Sequence, residues 1–500
     1  MTAPRPKIEP ERSPVVCRRS AGETRASDHR PQLTPPSTRP PEMNLTPQDV
    51  EGLVGDLVEY HARFCPSFRR REQRHWALRY MEGQMLELKR KCIEPMALYL
   101  DGGNVQAMQQ FISEGTWDDR AVLETHQELV DESLGEEAGV LIVDSSEFPK
   151  QGHHSVGVAR QYCGVKGKVD NCQSGMFLGY SSSKGFTLLD RRLFLPEKWF
   201  GEEYRERREK CRVPEDLVFK TKPELAWEMI EEVDRRGIVR FCWVAGDSLF
   251  GRTPWLLDQI DGTGRYYMME VPLDTHLWLH RPETYVPERS GRGRRSSKVR
   301  LAPGEPSSDR ADELARGLDE GVWKRCTVQE GSKGPVVAEF AIFRVVASRK
   351  RLPGPDVWLI MRRRVGKDPE EAPLRAFLSN APVGTPLSTF LWVWSHRWTI
   401  ETTFEDCKGE LGMDEYEVRG WRAWHHHMTM TLLSHHFLVR MWLKLGDKAP
   451  ALTVPQTVEL LSVVLPRKEF DAEEALGLIR YRQEHNYAAY RSHRKRRRGK

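Results

Sequence analysis

The spacing of apolar residues predicts a series of helices near the start of the chain. After a Thr-Pro helix start at Thr46, apolar residues recur every three or four positions from Val50 to Val58. The same spacing recurs in four further segments: 70–90, 93–100, 106–113 and 120–130. We therefore predict an all-α N-terminal domain at 43–135. Residues 1–42 are rich in Pro, Arg, Ser and Thr without an apolar period, which predicts disorder.

The pattern changes to strands at Gly139. Residues 139–144 form a short apolar run ending in Asp144, and residues 239–247 repeat this pattern and end in Asp247. Each run predicts a buried strand. The other segments of this region read as two strands, a helix and a second helix: 173–182, 185–195, 223–236 and 253–260. Three strands, a helix, a strand and a helix are typical of the opening of an RNase H-like fold.

Residues 265–380 interrupt that pattern with three strand-like segments and a basic, Gly- and Ser-rich loop at 289–300 that we predict to be disordered. The strand-like segments are 266–271, 339–346 and 357–363. Helical patterns follow at 386–411 and 421–444. The predicted fold class is α/β: an RNase H-like catalytic core interrupted by a β-rich insertion, with the all-α N-terminal domain before it. The predicted segments are the first part of the core at 136–264, the insertion at 265–380, the last part of the core at 381–445, C-terminal helices at 446–490 and a basic tail at 491–500.

Composition places the chain among globular proteins. It has 500 residues, 39% of them hydrophobic and 30% charged, which is enough for two to four domains with a large core. The net charge of +5, from 77 basic and 72 acidic residues, is weak evidence for a nucleic-acid partner. The distribution of charge says more, because the tail at 491–500 is strongly basic and such tails bind polyanions without sequence preference.

Cysteine usage and the N-terminus indicate a reducing, cytoplasmic location. The nine cysteines are odd in number and include no Cys-x-x-Cys pair, which argues against a disulfide framework and a structural zinc site. No signal peptide is visible, and no run reaches the roughly 18 apolar residues of a membrane span. The histidines at 425–427, His435 and His436 lack partners at metal-ligand spacing, so we interpret them as packing or phosphate contacts.

The most informative stretch lies in the predicted helix at 386–411. At about 100° per residue, four side chains fall in one narrow sector: Trp394, Arg397, Glu401 and Lys408. A purely structural helix would place apolar residues on its buried stripe. An aromatic ring, a carboxylate and two cations in a row suit a phosphodiester with a metal ion beside it. The alternative is a solvated face with ion pairs between successive turns.

Two upstream carboxylates favour the chemical interpretation. Asp144 and Asp247 each follow a predicted strand, and ligand sites in open α/β sheets lie at the carboxyl ends of strands. Together with Glu401 they would form three converging carboxylates, which cannot all stay ionised without cations. Oxygen ligands select Mg²⁺ or Mn²⁺, and two such ions would support an in-line displacement at phosphorus. Three other acids are rivals for these positions: Glu147, Asp170 and Glu405.

Three sequence blocks resemble the bacterial insertion-sequence transposases of the DDE superfamily that carry a Tyr-Arg-Glu-Lys signature. Residues 143–164, VDSSEFPKQGHHSVGVARQYCG, are similar to the first-aspartate block, and AGDSLFG at 245–251 is similar to the second. RWTIE at 397–401 and KGELG at 408–412 are similar to the third, with Trp394 where the family has Tyr. The similarity runs from about residue 73 to about residue 438.

The resemblance implies a metal-dependent enzyme that cuts the ends of a mobile element and joins them to target DNA. By matching, Asp144, Asp247 and Glu401 would bind two Mg²⁺ or Mn²⁺ ions. By matching, Trp394, Arg397 and Lys408 would contact double-stranded DNA, namely the terminal inverted repeats and the target. Three further cations near Asp144 in the sequence would line the same channel: Lys150, Arg160 and Lys168. A homodimer holding two ends, a bacterial nucleoid-associated location and no membrane contact follow as expectations. The alternatives are a Mg²⁺-dependent RNase H-like nuclease that does not transfer strands, and a catalytically inactive DNA-binding descendant.

Overall fold

The computed structural model describes residues 42–287, 297–331, 334–365 and 374–498. The predicted disorder of residues 1–42 and most of the predicted basic loop at 289–300 therefore lie outside the described residues. The described chain is a mixed α/β fold built on one large mixed sheet. None of its described helices combines the length and the apolar character needed to cross a bilayer.

The helices and strands are as follows. The helices are α1 Pro47–Ala62, α2 Arg71–Met85, α3 Ile93–Tyr99, α4 Val105–Ser113, α5 Asp119–Leu134, α6 Arg205–Cys211, α7 Lys222–Arg236, α8 Ser248–Gly251, α9 Pro254–Gly262, α10 Ala311–Arg316, α11 Leu387–Arg397, α12 Thr399–Gly409, α13 Trp421–Gly446, α14 Val454–Val464 and α15 Ala472–Arg498. The strands are β1 Val140–Pro149, β2 Ala159–Cys163, β3 Lys168–Ser182, β4 Gly185–Phe194, β5 Trp243–Gly246, β6 Tyr266–Val271, β7 His276–Trp278, β8 Thr284–Tyr285, β9 Arg300–Leu301, β10 Asp309–Arg310, β11 Lys324–Gly331, β12 Gly334–Arg349, β13 Leu352–Arg364 and β14 Arg375–Ser379.

The central part of the sheet runs in the order β4-β3-β1-β5-β6. The first three of these strands are antiparallel neighbours, whereas β1, β5 and β6 are parallel. Parallel neighbours end at the same edge of a sheet, so the carboxyl ends of β1, β5 and β6 lie side by side. This edge carries the acidic residues described below.

The segment predicted as a separate β-rich insertion continues the central sheet. Its first predicted strand, 266–271, is β6 and pairs in parallel with β5. Strands β14, β13 and β12 then add antiparallel neighbours beyond β6. The reason is that β6 would otherwise expose a row of unpaired backbone N–H and C=O groups, which the inserted strands satisfy. The predicted boundary at residue 265 therefore does not separate two sheets.

Two apolar cores cover the two faces of the sheet. Alternate residues of β1 point to opposite faces, so Ile142 enters the core beneath α11–α13 while Val143 enters the core beneath α7 and α9. The N-terminal helices α1–α4 bury their apolar faces in the same core as Ile142. The predicted N-terminal domain therefore shares a core with the sheet.

Helix α13 is the central buried helix, and its histidines are packing residues. His426 stacks on Trp117 at a ring-centroid distance of 3.7 Å, and its two nitrogens face the carbonyl oxygens of Ile112 and Trp117. His427 forms a side-chain hydrogen bond with a tyrosine hydroxyl of α2, and His436 forms one with a tyrosine hydroxyl of α1. Burial lowers the pKa of His426 to about 4, so these rings are neutral hydrogen-bonding groups at neutral pH. They join the N-terminal helices to the core of the sheet.

Several element boundaries differ from the sequence predictions. The helix predicted at 70–90 ends at Met85, and the strand predicted at 239–247 is only the four-residue β5. The residues at 491–498, predicted as a tail, continue α15.

We expect Gly251→Ala to destabilise the fold strongly. A Cβ atom at residue 251 would lie 1.9 Å from the carbonyl oxygen of Glu270, because α8 lies directly on β6. Separating the two elements should cost at least about 2 kcal/mol of unfolding free energy, measured by chemical denaturation. The control is Gly262→Ala, where nothing lies within 4 Å of the added atom. Equal stability of both variants would show that the close approach is absent in solution.

Candidate active site

Asp144 and Asp247 occupy adjacent positions at the edge of the sheet. Val143 of β1 lies opposite Gly246 of β5, so the residues that follow them are neighbours on strands about 4.8 Å apart. Asp247 follows the end of β5, as predicted, and its carboxylate accepts a 2.9 Å hydrogen bond from the Leu249 amide as the N-cap of α8. Asp144 differs from the prediction because it lies inside β1, which continues to Pro149 by pairing with β3.

Strand alternation separates Asp144 from its nearest rival. Asp144 lies on the face covered by α11–α13, whereas Glu147 points to the opposite face and accepts hydrogen bonds from Ser174 and Lys222. Asp170 forms an ion pair with Lys166 on the hairpin of β2 and β3. Neither Glu147 nor Asp170 therefore joins the group at the sheet edge.

Glu401 reaches this edge from a helix on the same face. The helix predicted at 386–411 is two helices, α11 and α12, which meet at Trp398. Glu401 lies in the first turn of α12, where the helix dipole favours a carboxylate. Its rival Glu405 lies one turn later and is exposed. Glu401 is half exposed, with 46% of its side chain accessible, so it can reach an incoming ligand.

The electrostatics indicate that the three carboxylates converge. Burial and the neighbouring Asp247 raise the pKa of Asp144 to about 7, and Glu401 also contributes to the rise. Burial raises the pKa of Asp247 and of Glu401 as well. The Arg397 guanidinium opposes the rise in pKa of all three acids, so it is their common counter-ion. Because burying these carboxylates together costs free energy when they are ionised, the site that they form favours cations.

The donor set fits a hard divalent cation held by few protein ligands. In the described parts of the chain, no three His, Cys, Asp or Glu side chains lie close enough together to enclose one ion. Mg²⁺ is commonly held by one or two carboxylates, with water and substrate phosphates completing its octahedron. Asp144 interacts electrostatically with Asp247 and with Glu401, which gives two pairs of neighbouring carboxylates. The oxygen-only chemistry fits Mg²⁺ or Mn²⁺.

A fourth acid, Glu270, lies beside this group and was missed by sequence reasoning. Gly246 of β5 lies opposite Met269 of β6, so Asp247 and Glu270 are neighbours. Glu270 accepts hydrogen bonds of 2.9 and 3.0 Å from Arg375 of β14. Glu270 contributes to raising the pKa of both Asp247 and Glu401, which are raised chiefly by burial. The sequence contains one signal for this residue, because the strand predicted at 266–271 has an acid near its end. That strand is predicted as part of the insertion and not of the core.

The predicted DNA-binding residues of α11 are more buried than expected. Arg397 is only 6% exposed, and its Nη2 atom lies 3.8 Å from a carboxylate oxygen of Glu401. Trp394 is 3% exposed, with the guanidinium of Arg362 over its ring at 4.7 Å. The prediction that the Trp394 ring contacts DNA is therefore not supported by its position, because the sheet and Arg362 cover it.

The other predicted DNA-binding cations occupy different places. The ammonium of Lys408 lies 5.8 and 5.9 Å from the rings of Phe148 and Phe404. Lys150 donates a 3.2 Å hydrogen bond to the Tyr416 carbonyl oxygen and lies over that tyrosine ring, so it is already engaged. Arg160 and Lys168 are exposed on the β2–β3 hairpin. The hairpin extends beyond Pro149 of β1, in the direction in which the acidic edge faces.

A family model and a curated relative match parts of this chain. The family model described as DDE superfamily endonuclease matches residues 63–335, a region that contains Asp144 and Asp247 and ends before Glu401. The probable transposase for insertion sequence element IS701 from Microchaete diplosiphon is 28% identical over 207 residues, which cover 40% of this chain and 48% of that protein. The chain thus spans about half the length of this curated relative.

Two solved structures show weak similarity. The cryo-EM structure of the piggyBac transposase synaptic complex with hairpin DNA has a TM-score of 0.37 at 10% identity, covering 83% of this chain and 79% of that chain. The crystal structure of the NurA nuclease from Sulfolobus solfataricus has a TM-score of 0.23 at 11% identity, covering 55% and 80%. Both scores are too low to carry an argument about this chain.

We expect Asp144→Asn to stabilise the metal-free protein at pH 8 and to have little effect at pH 4. The raised pKa of about 7 means that the folded protein holds a proton on Asp144 that the unfolded chain releases near its ordinary value of 3.8. Stability therefore falls as pH rises from about 4 to 7, and the asparagine removes this penalty of on the order of 4 kcal/mol. Thermal melting in chelator measures the difference.

The matched control is Asp170→Asn on the exposed hairpin, where the ion pair with Lys166 lowers the pKa of the carboxyl. This variant should not gain stability at pH 8. Adding Mg²⁺ should stabilise the unmodified protein more than Asp144→Asn. A melting temperature of Asp144→Asn equal to that of the unmodified protein at pH 8 would contradict the convergence of the carboxylates.

Proposed function

The chain belongs to the DDE superfamily endonucleases, and from this premise we propose that it is a DNA transposase, which cleaves the ends of a mobile element and transfers the strands to target DNA. One observation carries the proposal. Asp144 and Asp247 are neighbours at one edge of the sheet, and Glu401 faces the same edge from α12 with Arg397 as a shared counter-ion. The name of the curated relative supports transposition rather than simple hydrolysis.

We propose that the catalytic core is RNase H-like. The sheet order β4-β3-β1-β5-β6, with the first three strands antiparallel and the last three parallel, supports this assignment. Helices α11–α13 would complete the core on the face that carries the acids. The segment between β6 and α11 would be the insertion, so the core would include β6 and the insertion would begin after Val271.

In this mechanism Asp144, Asp247 and Glu401 would hold two Mg²⁺ or Mn²⁺ ions, which when bound supply an activated hydroxyl group and stabilise the leaving oxygen. The protein itself supplies position and charge. The Leu249 amide fixes the carboxylate of Asp247, and the β1–β5 pairing fixes the spacing of the two aspartates. Arg397 would hold a phosphate through two N–H groups after Glu401 turns toward a cation, and Lys408 would act as a point charge farther along α12.

The proposed partners are double-stranded DNA at the terminal inverted repeats and at the target. Joining two ends requires both to be held together, so we propose a homodimer in the end complex. Arg160 and Lys168 on the exposed hairpin are suited to phosphate contacts beside the acidic edge. Lys150 would need to leave the Tyr416 carbonyl oxygen to contribute, so we give it a supporting role in positioning the end of β1. A nucleoid-associated location would follow from these partners.

The acids provide the test of the proposed function. Asp144→Asn, Asp247→Asn and Glu401→Gln should each reduce cleavage of the element's own ends by about 10³-fold in Mg²⁺, because each removes a cation-binding oxygen, and chelator should abolish cleavage. DNA binding measured by gel shift in Ca²⁺ should persist. Formation of joined products with a target plasmid distinguishes a transposase from a nuclease that only hydrolyses.

Glu405→Gln is the matched control for Glu401→Gln, since Glu405 lies one turn away on the exposed surface of α12. It should cleave at the rate of the unmodified protein. If Glu405→Gln lost activity while Glu401→Gln cut normally, the third carboxylate would be misassigned.

We also expect the basic end of α15 to contribute binding without sequence preference. Deleting residues 494–500 removes six basic residues, of which Arg494 and Lys495 are exposed on α15, so affinity for any duplex should fall and its salt dependence should flatten by several units of slope. Fluorescence anisotropy over a salt series measures both quantities. Deleting residues 1–42 is a separate comparison, and it should leave folding and cleavage nearly intact. A loss confined to one DNA sequence would contradict a phosphate-only role.

A further inference from the structure

Three arginines form a row next to the acidic edge, and two of them come from the inserted strands. Arg362 of β13 and Arg375 of β14 are directly opposite each other in the antiparallel register. Strand alternation places both on the face of the sheet that carries Asp144 and Glu270. Arg397 approaches from α11 on the same face. Side chains from distant parts of the sequence therefore gather at one end of the acidic edge.

Without a bound anion, this grouping of arginines costs folding free energy. Like charges directly opposite on neighbouring strands repel. Burial lowers the pKa of Arg362 to about 10, and Arg375, Arg364 and Arg397 add to the effect. Arg375 is compensated by Glu270. No carboxylate in the described parts of the chain forms an ion pair with Arg362, so its charge is left for another anion.

The hydrogen-bonding groups of these arginines are also incompletely used. The Nε atoms of Arg362 and Arg397 are buried and have no hydrogen-bond partner among the described residues. The contact of Arg397 with Glu401, at 3.8 Å, is too long for a hydrogen bond. Buried N–H groups without partners are rare in proteins unless a ligand or ion completes them. A guanidinium matches the paired oxygens of a phosphate group.

Trp394 packs against one arginine of this row. Its ring supports the flat side of the Arg362 guanidinium at 4.7 Å, which leaves the N–H edge of the guanidinium free to donate. The ring of Phe340 lies against Trp394 at a centroid distance of 6.5 Å and holds it in place. The aromatic residue of the third sequence block would thus act on DNA through Arg362 instead of by direct contact.

We propose that Arg362, Arg375 and Arg397 form a binding site for a phosphodiester group of the DNA strand that passes the acidic edge, with Trp394 and Glu270 as positioning residues. The proposal rests on the proposed function for the identity of the ligand as DNA. Once cations neutralise the carboxylates of Asp144, Asp247 and Glu401, Arg362 and Arg397 would carry the main uncompensated charge beside them, while Arg375 keeps its ion pair with Glu270. The inserted strands would then serve to grip the substrate next to the point of cleavage.

The test compares Arg362→Gln with Arg363→Gln. Arg363 is the matched control because it is the next residue of β13, points to the opposite face and pairs with Glu320 and Glu339. The probe is a 40-base-pair duplex, with binding measured by fluorescence anisotropy in Ca²⁺ over a salt series. Arg362→Gln should bind about tenfold more weakly, with a salt slope reduced by about one unit. Arg363→Gln should bind like the unmodified protein.

Additional variants separate a phosphate contact from a folding defect. Arg362→Lys should keep the salt slope but lose affinity, because an ammonium keeps the charge and loses the paired N–H groups. In the otherwise unmodified protein, Trp394→Leu should weaken binding of the duplex. Combined with Arg362→Gln it should cause no further loss of affinity, whereas a general packing defect would weaken binding further. Thermal melting must show each variant folded at the temperature of the binding measurement.

The outcomes distinguish the proposals. If Arg362→Gln is folded and binds the duplex with unchanged affinity and slope, the arginine site is overturned. Inorganic phosphate at matched ionic strength should compete weakly, and displacement of the duplex at low millimolar phosphate would assign the site to free phosphate and overturn the assignment to DNA. If the unmodified protein cuts no DNA in Mg²⁺ while these binding differences hold, the proposed transposase activity fails and the phosphate site stands.

Discussion

Parallel pairing of β1, β5 and β6 is the constraint on which the site depends. It brings Asp144, Asp247 and Glu270 to neighbouring positions at one edge, where burial and the neighbouring carboxylates raise the pKa of Asp144 and of Asp247. The apolar residues before each acid enter the cores on both faces of the sheet and thereby fix the hydrogen-bonded register of the strands. The free energy of this packing offsets the cost of placing the acids together. Arg397, which lies on α11, offsets part of the repulsion between the carboxylates. A site assembled in this way is stabilised by cations rather than by its own contacts.

The inserted strands matter because they extend the same sheet. Once β14 pairs with β6, the alternation of side chains carries over to the new strands, so Arg375 and Arg362 face the side of the acids without any special loop. The edge then has two halves, one acidic and one basic, joined by the Glu270–Arg375 ion pair. Cations suit the first half and a phosphate suits the second, which agrees with membership of an endonuclease superfamily.

Helix α13 links this site to the rest of the protein. Its buried histidines accept or donate hydrogen bonds to the N-terminal helices on one side, and His435 contacts Thr187 of β4 on the other. Neutral imidazoles can satisfy backbone carbonyl groups and hydroxyls in an apolar core, which aliphatic side chains cannot. The N-terminal helices are therefore part of the support of the sheet, although their amphipathic pattern alone makes them look like an independent domain.

The sequence by itself determined the elements with local signals: helices with a regular apolar period, the apolar strand segments that precede Asp144 and Asp247, and the blocks that indicate the superfamily. It did not determine that β1 continues past Asp144 to Pro149. It determined the chemical types in the helix face from Trp394 to Lys408, but not the break at Trp398 or the burial of Trp394. Arg362 and Arg375 had no local signal that tied them to the site, and Glu270 had only its place near the end of a predicted strand. Only tertiary structure placed them there, because the register between strands more than a hundred residues apart depends on long-range backbone pairing and core packing, which leave no period in the sequence.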